Sequence, residues 1–384
     1  MISKVEIENF KSFEKASVEL RKFNVLIGPN NSGKSNFCAA FKLVHEMAIQ
    51  PGFEVFFDKL RVSQLARLEG KNIKLSFRIQ ENGTFYSYAA QLREESPFLI
   101  RETINENTPD SITRELGQKV KMKDKEVIFP SLSPNDSILF HKAMAKNVKP
   151  LMVTAKVFTS TYFYRFIPGS IHTPAFFKKD TPIRIEESGF GLPAVLDHLL
   201  RKNRSSFDNI ENKITNKFKD IKEIILNKMD IPEQNTIYEG HVIAFKLKGR
   251  EEPIESHHIS DGISYFLLFL TLMHLPDKPS IIFIEEPENG IHPSNLKEII
   301  GHIRELGEEN NCQVIITTHS PYLLDFVKTE EVLIFYRKED GPTQVRRMED
   351  VPNVREKLKY FMLGELWTEK GEKGLIEEIE NAKD

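Results

Sequence analysis

The chain has 384 residues, enough for one large domain or two modest ones, and its 40% hydrophobic and 28% charged residues are ordinary for a globular protein. A net charge of −3 provides no global basic field for nucleic acid, and two cysteines, Cys38 and Cys312, supply neither a disulfide framework nor a cysteine-rich metal site. The opening MISKVEIENFKSFEK lacks the apolar core of a signal peptide, and the longest apolar run, ISYFLLFLTLM at 263–273, is too short to span a bilayer; a cytoplasmic protein with no membrane partner is the expectation.

The first informative stretch is FNVLIGPNNSGKSNFCAAFKLV. Val25, Leu26 and Ile27 read as a short buried strand, and from Asn36 onward Phe37, Ala40, Phe41 and Val44 recur at helical spacing. Between them stand Gly28, four residues, then Gly33, Lys34 and Ser35, the pattern G-x-x-x-x-G-K-S. A strand, a glycine loop and a helix start turn backbone N–H groups and the positive helix end toward an anion. Gly28, Asn30, Asn31, Ser32, Gly33, Lys34, Ser35 and Asn36 are therefore the candidates for holding the phosphates of ATP, with Lys34 on the terminal phosphates and Ser35 on Mg²⁺. The plainer alternative is a glycine turn before a helix; all the fixed positions in the right frame favour the phosphate loop.

Next, KNIKLSFRIQENGTFYSYAAQLREE alternates around an ENG turn and reads as an antiparallel lobe beside the nucleotide. Residues 100–150 are polar, with NENTPDS and FPSLSPNDS as loop signals. GLPAVLDHLLRKN predicts a helix with Pro193 in its first turn. NKITNKFKDIKEIIL predicts another, with Ile214, Phe218, Ile221 and Ile225 at helical spacing. Together these make an inserted helical lobe. Residues 141–228 hold sixteen Lys or Arg against eight Asp or Glu, a hint of nucleic acid. The basic residues alternate with acids, as on a solvated helix face, and that reading is preferred. IYEGHVIAFKLKG returns to strand, and EVLIFYRKEDGPTQVRRM predicts a closing hairpin with Asp340 and Gly341 at its turn.

SIIFIEEPENGIHP, at 280–293, leads a buried strand into two adjacent glutamates, although charge is costly to desolvate. Either both are solvated past the strand end, or a cation awaits them. Beside a phosphate loop the second reading is preferred: Glu285 would hold Mg²⁺ and Glu286 would be the base that deprotonates the attacking water.

Three further segments resemble the ATP-binding-cassette ATPases. ESHHISDGISYFLLFLTLM is similar to their signature, with Ser260, Asp261 and Gly262 at a helix start and with Ile259 and Asp261 as departures. EEPENGIHP resembles the Walker B strand and D-loop, and CQVIITTHSPYLLD the switch strand with His319. The opening VEIENFKSFEKASVELRKFNVLIGPNNSGKSN narrows the resemblance to the RecF, SMC and OLD group. The resemblance implies a P-loop NTPase of ABC-ATPase type, α/β, with a mixed core sheet, an antiparallel β lobe and an inserted helical lobe. It implies a homodimer that sandwiches ATP, with Ser260 and the Gly262 amide reaching the γ-phosphate across the interface and His319 contacting it from its own strand end. Lys11, in NFKSF, matches a basic position that approaches the phosphates; a solvated strand-end lysine is the alternative. No Q-loop glutamine is evident, although Gln91 is a candidate.

The domain organisation expected is an N-terminal ATPase lobe at 1–98, an inserted polar loop and helical lobe at 99–235, a C-terminal ATPase lobe at 236–345 and a tail at 346–384. After His319 come 65 residues without the carboxylate pattern of a Toprim nuclease, so no nuclease is expected in the chain. A separate nuclease or toxin effector subunit and DNA are the partners the resemblance implies, in DNA repair or defence against phage. A nucleotide switch with negligible turnover is the rival reading. A transporter ATPase fits poorly, since a Gln after the signature and any membrane segment are missing, and a nucleotide kinase needs neither signature nor switch histidine.

Overall fold

The computed structural model describes residues 1–51, 65–68, 70–93, 99–105, 108, 111–116, 120–122, 125–126, 132–133, 136–145, 148–177, 182–233, 236–338, 341–369 and 374. The chain forms two compact units: Met1–Thr161 with Ser280–Phe283 and Gln313–Asp384, and Tyr162–Pro279 with Ile284–Cys312.

The first unit contains an eight-stranded antiparallel sheet. Its centre pairs Ile2–Phe10 with Ile73–Glu81, and the latter with Thr84–Leu92. Alternation sets the faces: Ile73, Leu75, Phe77 and Ile79 are buried, while Lys74 and Arg78 point to solvent. Asn82 and Gly83, both at positive φ, close the hairpin in the two-residue loop that ENG led one to expect. The sheet continues through Leu99–Ile104 and Ile112–Glu115, a stretch expected to be loop. Glu102 shows how a charged residue is accommodated in these strands. It is fully buried, and its carboxylate is satisfied by the Tyr88 hydroxyl, the Ser137 hydroxyl and the Ile138 N–H at 2.6–2.9 Å, with Arg114 at 3.5 Å.

The mixed sheet has the order Thr161–Tyr164, Ile281–Glu285, Gln313–Thr317, Phe23–Ile27, Val332–Arg337, Thr343–Arg347. Phe23–Ile27 is parallel to both neighbours and buried at every residue, as a strand covered on both faces requires. The closing hairpin pairs Val332–Arg337 with Thr343–Arg347 as expected; Asp340 of its anticipated turn lies outside the described residues. The helix Lys34–Ile49 buries Phe37, Ala40, Phe41 and Val44, and the Phe41, Phe77 and Phe158 rings meet edge to face at 5.1–5.2 Å.

In the second unit the helix Leu192–Lys202 carries Pro193 in its first turn, where a missing N–H costs nothing. The second predicted helix is corrected. Arg204–Lys217 is helical, but the chain then turns into a strand, Ile221–Glu233, which pairs antiparallel with Thr236–Leu247. Ile224 lies opposite Phe245, Ile225 opposite Ala244 and Leu226 opposite Ile243. A β-branched, apolar run with such a partner is more stable as a ladder than as the continuation of a polar helix. The helix Asp261–Leu272 begins at Ser260 as expected. No described helix is long and apolar enough to cross a membrane.

Candidate functional site

The glycine loop leaves Phe23–Ile27 at Gly28, where φ is +145°. A Cβ there would lie 2.0 Å from the Phe335 carbonyl oxygen, so only glycine lets the loop pass this close to the neighbouring strand. The helix Lys34–Ile49 starts at Gly33, φ +109°, a residue with no side chain to cap it, so the positive end of the helix carries no side-chain cap. Lys34 is 7% exposed, and its ammonium donates to the carbonyls of Gly28 at 2.6 Å and Pro29 at 3.1 Å. The loop thus wraps the Lys34 ammonium in its own carbonyls. Ser32 Oγ is buried without a hydrogen-bond partner, an orphan of the kind an incoming phosphate oxygen would satisfy.

A polar chain fixes this loop from outside it. Asn36 Nδ2 donates to Ser12 Oγ at 2.8 Å; Ser12 Oγ lies 2.8 Å from Thr343 Oγ1, which lies 2.9 Å from the Ser32 carbonyl. The Ser32 carbonyl can only accept and Thr343 has one hydroxyl proton. The order Asn36 to Ser12 to Thr343 to Ser32 therefore satisfies every group. Thr343 N–H also donates to the Ser12 carbonyl at 2.9 Å. Ser12 belongs to the NFKSF turn, so that motif is tied directly to the phosphate loop. Neither Ser12 nor Thr343 was legible as a site residue, because 331 positions separate them. Lys11, at φ +50° in the same turn, is half-buried, and burial pulls its ammonium below the ordinary 10.5.

His319 belongs to the same unit. Gln313–Thr317 runs beside Phe23–Ile27 with Thr317 opposite Leu26, and Thr318 N–H donates to the Leu26 carbonyl at 3.1 Å. His319 follows, exposed, at the edge where the glycine loop departs. Gln91 lies within the antiparallel sheet, opposite Lys74 and Arg101.

In the second unit Glu285 is the last residue of its strand and Glu286 the first beyond it, both half-buried. The carboxylates are thus neither deeply buried nor freely solvated. Arg165, which follows the strand Thr161–Tyr164, brings its guanidinium within 3.9 Å of the Glu285 carboxylate. Glu286 has φ +47°, a left-handed conformation costly for a glutamate, and Asn289 Nδ2 donates to its Oε2 at 2.7 Å. Sequence reading passed over both Arg165 and Asn289, although Asn289 stands in the quoted EEPENG.

Ser260 and Asp261 are exposed and Gly262 half-exposed at the N-terminus of Asp261–Leu272, and the Ser260 hydroxyl makes no capping bond. His172 Nε2 lies 3.4 Å from Asp261 Oδ1. Tyr265 is buried; burial, aided by the Asp261 carboxylate, pushes its hydroxyl up to about 12. Gly290, φ +76°, packs on its ring, where a Cβ would come within 2.4 Å. The helix Asp261–Leu272 and the turn at 286–290 are therefore in direct contact.

No described group of three or more His, Cys, Asp or Glu residues could hold a metal. The Ser35 hydroxyl, exposed, and the Glu285 carboxylate are hard oxygen donors, and few protein ligands suit Mg²⁺, which keeps several waters and takes phosphate oxygens.

A family model described as AAA domain, putative AbiEii toxin, Type IV TA system matches residues 23–325. The chain is 21% identical over 355 residues to an ATP/GTP phosphatase of Helicobacter pylori, covering 85% of this chain and 87% of that one. It is 21% identical over 355 residues to the Old nuclease of Escherichia phage P2, covering 84% of this chain and 57% of the nuclease. Among solved structures, an SMC head bound to the C-winged helix domain of ScpA matches with a TM-score of 0.56 at 13% identity, over 93% of this chain and 99% of that one.

Proposed function

We propose, from the premise that the chain belongs to the AAA-domain family described as putative AbiEii toxin, type IV TA system, that this OLD-like, ABC-type P-loop ATPase works as an ATP-gated clamp. The observation that carries the reading is the phosphate cradle: an uncapped helix start, a buried Lys34 and the orphaned Ser32 hydroxyl around one glycine loop. Lys34 offsets the triphosphate, and the N–H groups from Asn30 to Asn36 orient it. Ser35 and Glu285 would hold Mg²⁺, which supplies charge neutralisation when bound. Glu286 accepts a proton from the attacking water, and His319 contacts the γ-phosphate. Lys11 approaches the phosphates from the NFKSF turn.

Two copies form the clamp, each presenting Ser260, Asp261 and the Gly262 amide to the nucleotide of the other. Support comes from the exposure of that segment, an uncapped helix start available to a phosphate. The lobes at 1–98, 99–235 and 236–345, with the tail at 346–384, are the division of labour we propose. The clamp acts in the cytoplasm, in DNA repair or defence against phage, with a separate nuclease or toxin effector and with DNA as its partners. The relationship to the Old nuclease, of which the chain spans 57%, motivates the effector.

The test is the mass of the E286Q variant by light scattering. Mg-ATP is expected to double it, since closure persists when the base is absent. A monomer at saturating nucleotide refutes the clamp. Duplex DNA added at low and moderate salt should bind more tightly to the closed form, with a steep salt dependence; no ATP-dependent difference leaves the protein effector as the clamp's cargo.

A further inference from the structure

We infer that Asn289 is a positioning residue that holds the Glu286 carboxylate for attack by water; the inference rests on the reading of Glu286 as the base. Glu286 leaves its strand at φ +47°, so the direction of its side chain is set by a turn that a glutamate does not adopt by default. Asn289 closes that turn, its N–H donating to the Glu286 carbonyl at 3.0 Å. The same residue's amide Nδ2 donates to Glu286 Oε2 at 2.7 Å, the short distance of a charge-assisted bond. One residue thus fixes both the backbone and one carboxylate oxygen of the base.

Asn289 is exposed, and an exposed asparagine is ordinarily held loosely. Here its successor is anchored. Gly290 at φ +76° lies against the Tyr265 ring with no room for a Cβ, and the Tyr265 hydroxyl donates to the Phe166 carbonyl at 3.3 Å. The helix that begins with Ser260 therefore supports the loop that carries Asn289. The charged groups nearby are Glu285 and Glu288 on the same segment and Arg165 from the neighbouring strand's end, 3.9 Å from Glu285. In this acidic surrounding the neutral amide supplies a donor without a further charge. A misplaced catalytic group costs rate without costing ground-state binding.

The experiment compares N289A and N289D by steady-state phosphate release and by calorimetry of Mg-ATP binding, with E286Q alongside. Asp closes such a turn as readily as Asn, but it cannot donate and it repels the carboxylate. N289A is expected to lose kcat by about tenfold with KM and ATP affinity unchanged, and N289D to lose at least as much. An N289D variant as active as the parent reduces Asn289 to a turn-former and overturns the inference. So does a raised KM at unchanged kcat. An E286Q variant that turns over like the parent removes the base itself. Inert E286Q beside fully active N289D leaves the base standing and sinks only the positioning role.

Discussion

Replacing Thr343 by valine tests whether the phosphate loop is held from outside. Thr343 is fully buried, and valine keeps the β-branch while deleting one donor and one acceptor. The Ser32 carbonyl loses the donor at 2.9 Å and the Ser12 hydroxyl loses its acceptor at 2.8 Å, although Ser12 Oγ still receives the Asn36 amide. A buried polar group left unsatisfied costs about 1–3 kcal/mol, so two groups with partial relaxation amount to about 2–4 kcal/mol. For a unit of this size that is a fall of about 5–10 °C in Tm. Thr343 also packs on Gly33, where a Cβ would meet its Oγ1 at 2.3 Å, so the loop itself shifts and ATP affinity falls several-fold. T343S keeps the hydroxyl and gives up only a methyl, which costs about 1 kcal/mol and spares nucleotide binding. Thermal melts without nucleotide and ATP calorimetry read both effects. Equal Tm and equal ATP affinity in T343V and T343S would show that the polar chain does not hold the loop.

K34A removes the ammonium that Gly28 and Pro29 cradle and is expected to weaken ATP binding on the order of 10²-fold; parent-like calorimetry would remove the phosphate loop from the site. E286Q should keep ATP and lose turnover, whereas E285Q should demand more Mg²⁺; equal loss of ATP binding in both contradicts the division of roles. A mixture of S260R and K34A subunits should recover part of the hydrolysis that each lacks alone, and parent-like activity of S260R by itself excludes the signature from the reaction. Burial holds the His241 and His274 imidazoles below their ordinary 6.5. As pH falls through about 6.5 the unfolded chain takes up these protons first, so stability declines from there to the lower folded pKa and then levels off. The Tm loss between about pH 7.5 and 5.5 should be smaller in an H241Q/H274Q double variant, and an unchanged loss assigns the slope to other groups.

The phosphate loop, the acid strand, the helix at 261, the tight hairpin at 82–83 and the strands of the closing hairpin were legible because each depends on contiguous residues. Fixed glycine spacing, an unbroken apolar run, a period of 3.6 or of 2, and a turn dipeptide are local signals. The stretch from 212 to 226 shows where this fails. Its helical spacing is genuine up to Lys217, but Ile224 and Leu226 are stabilised by Phe245 and Ile243, about twenty residues later, beyond the short stretch over which a helical period is read. The neighbours of Phe23–Ile27, at 313–317 and 332–337, were likewise decided by tertiary pairing. Ser12 and Thr343 became part of the loop's support because buried hydroxyls and carbonyls must find partners wherever the fold places them. Sequence nominated the residues proposed to meet a nucleotide, since that chemistry lies in side-chain type and spacing. Only the tertiary structure decided which groups hold them in place, because a hydrogen bond across three hundred residues leaves no pattern in the residues between.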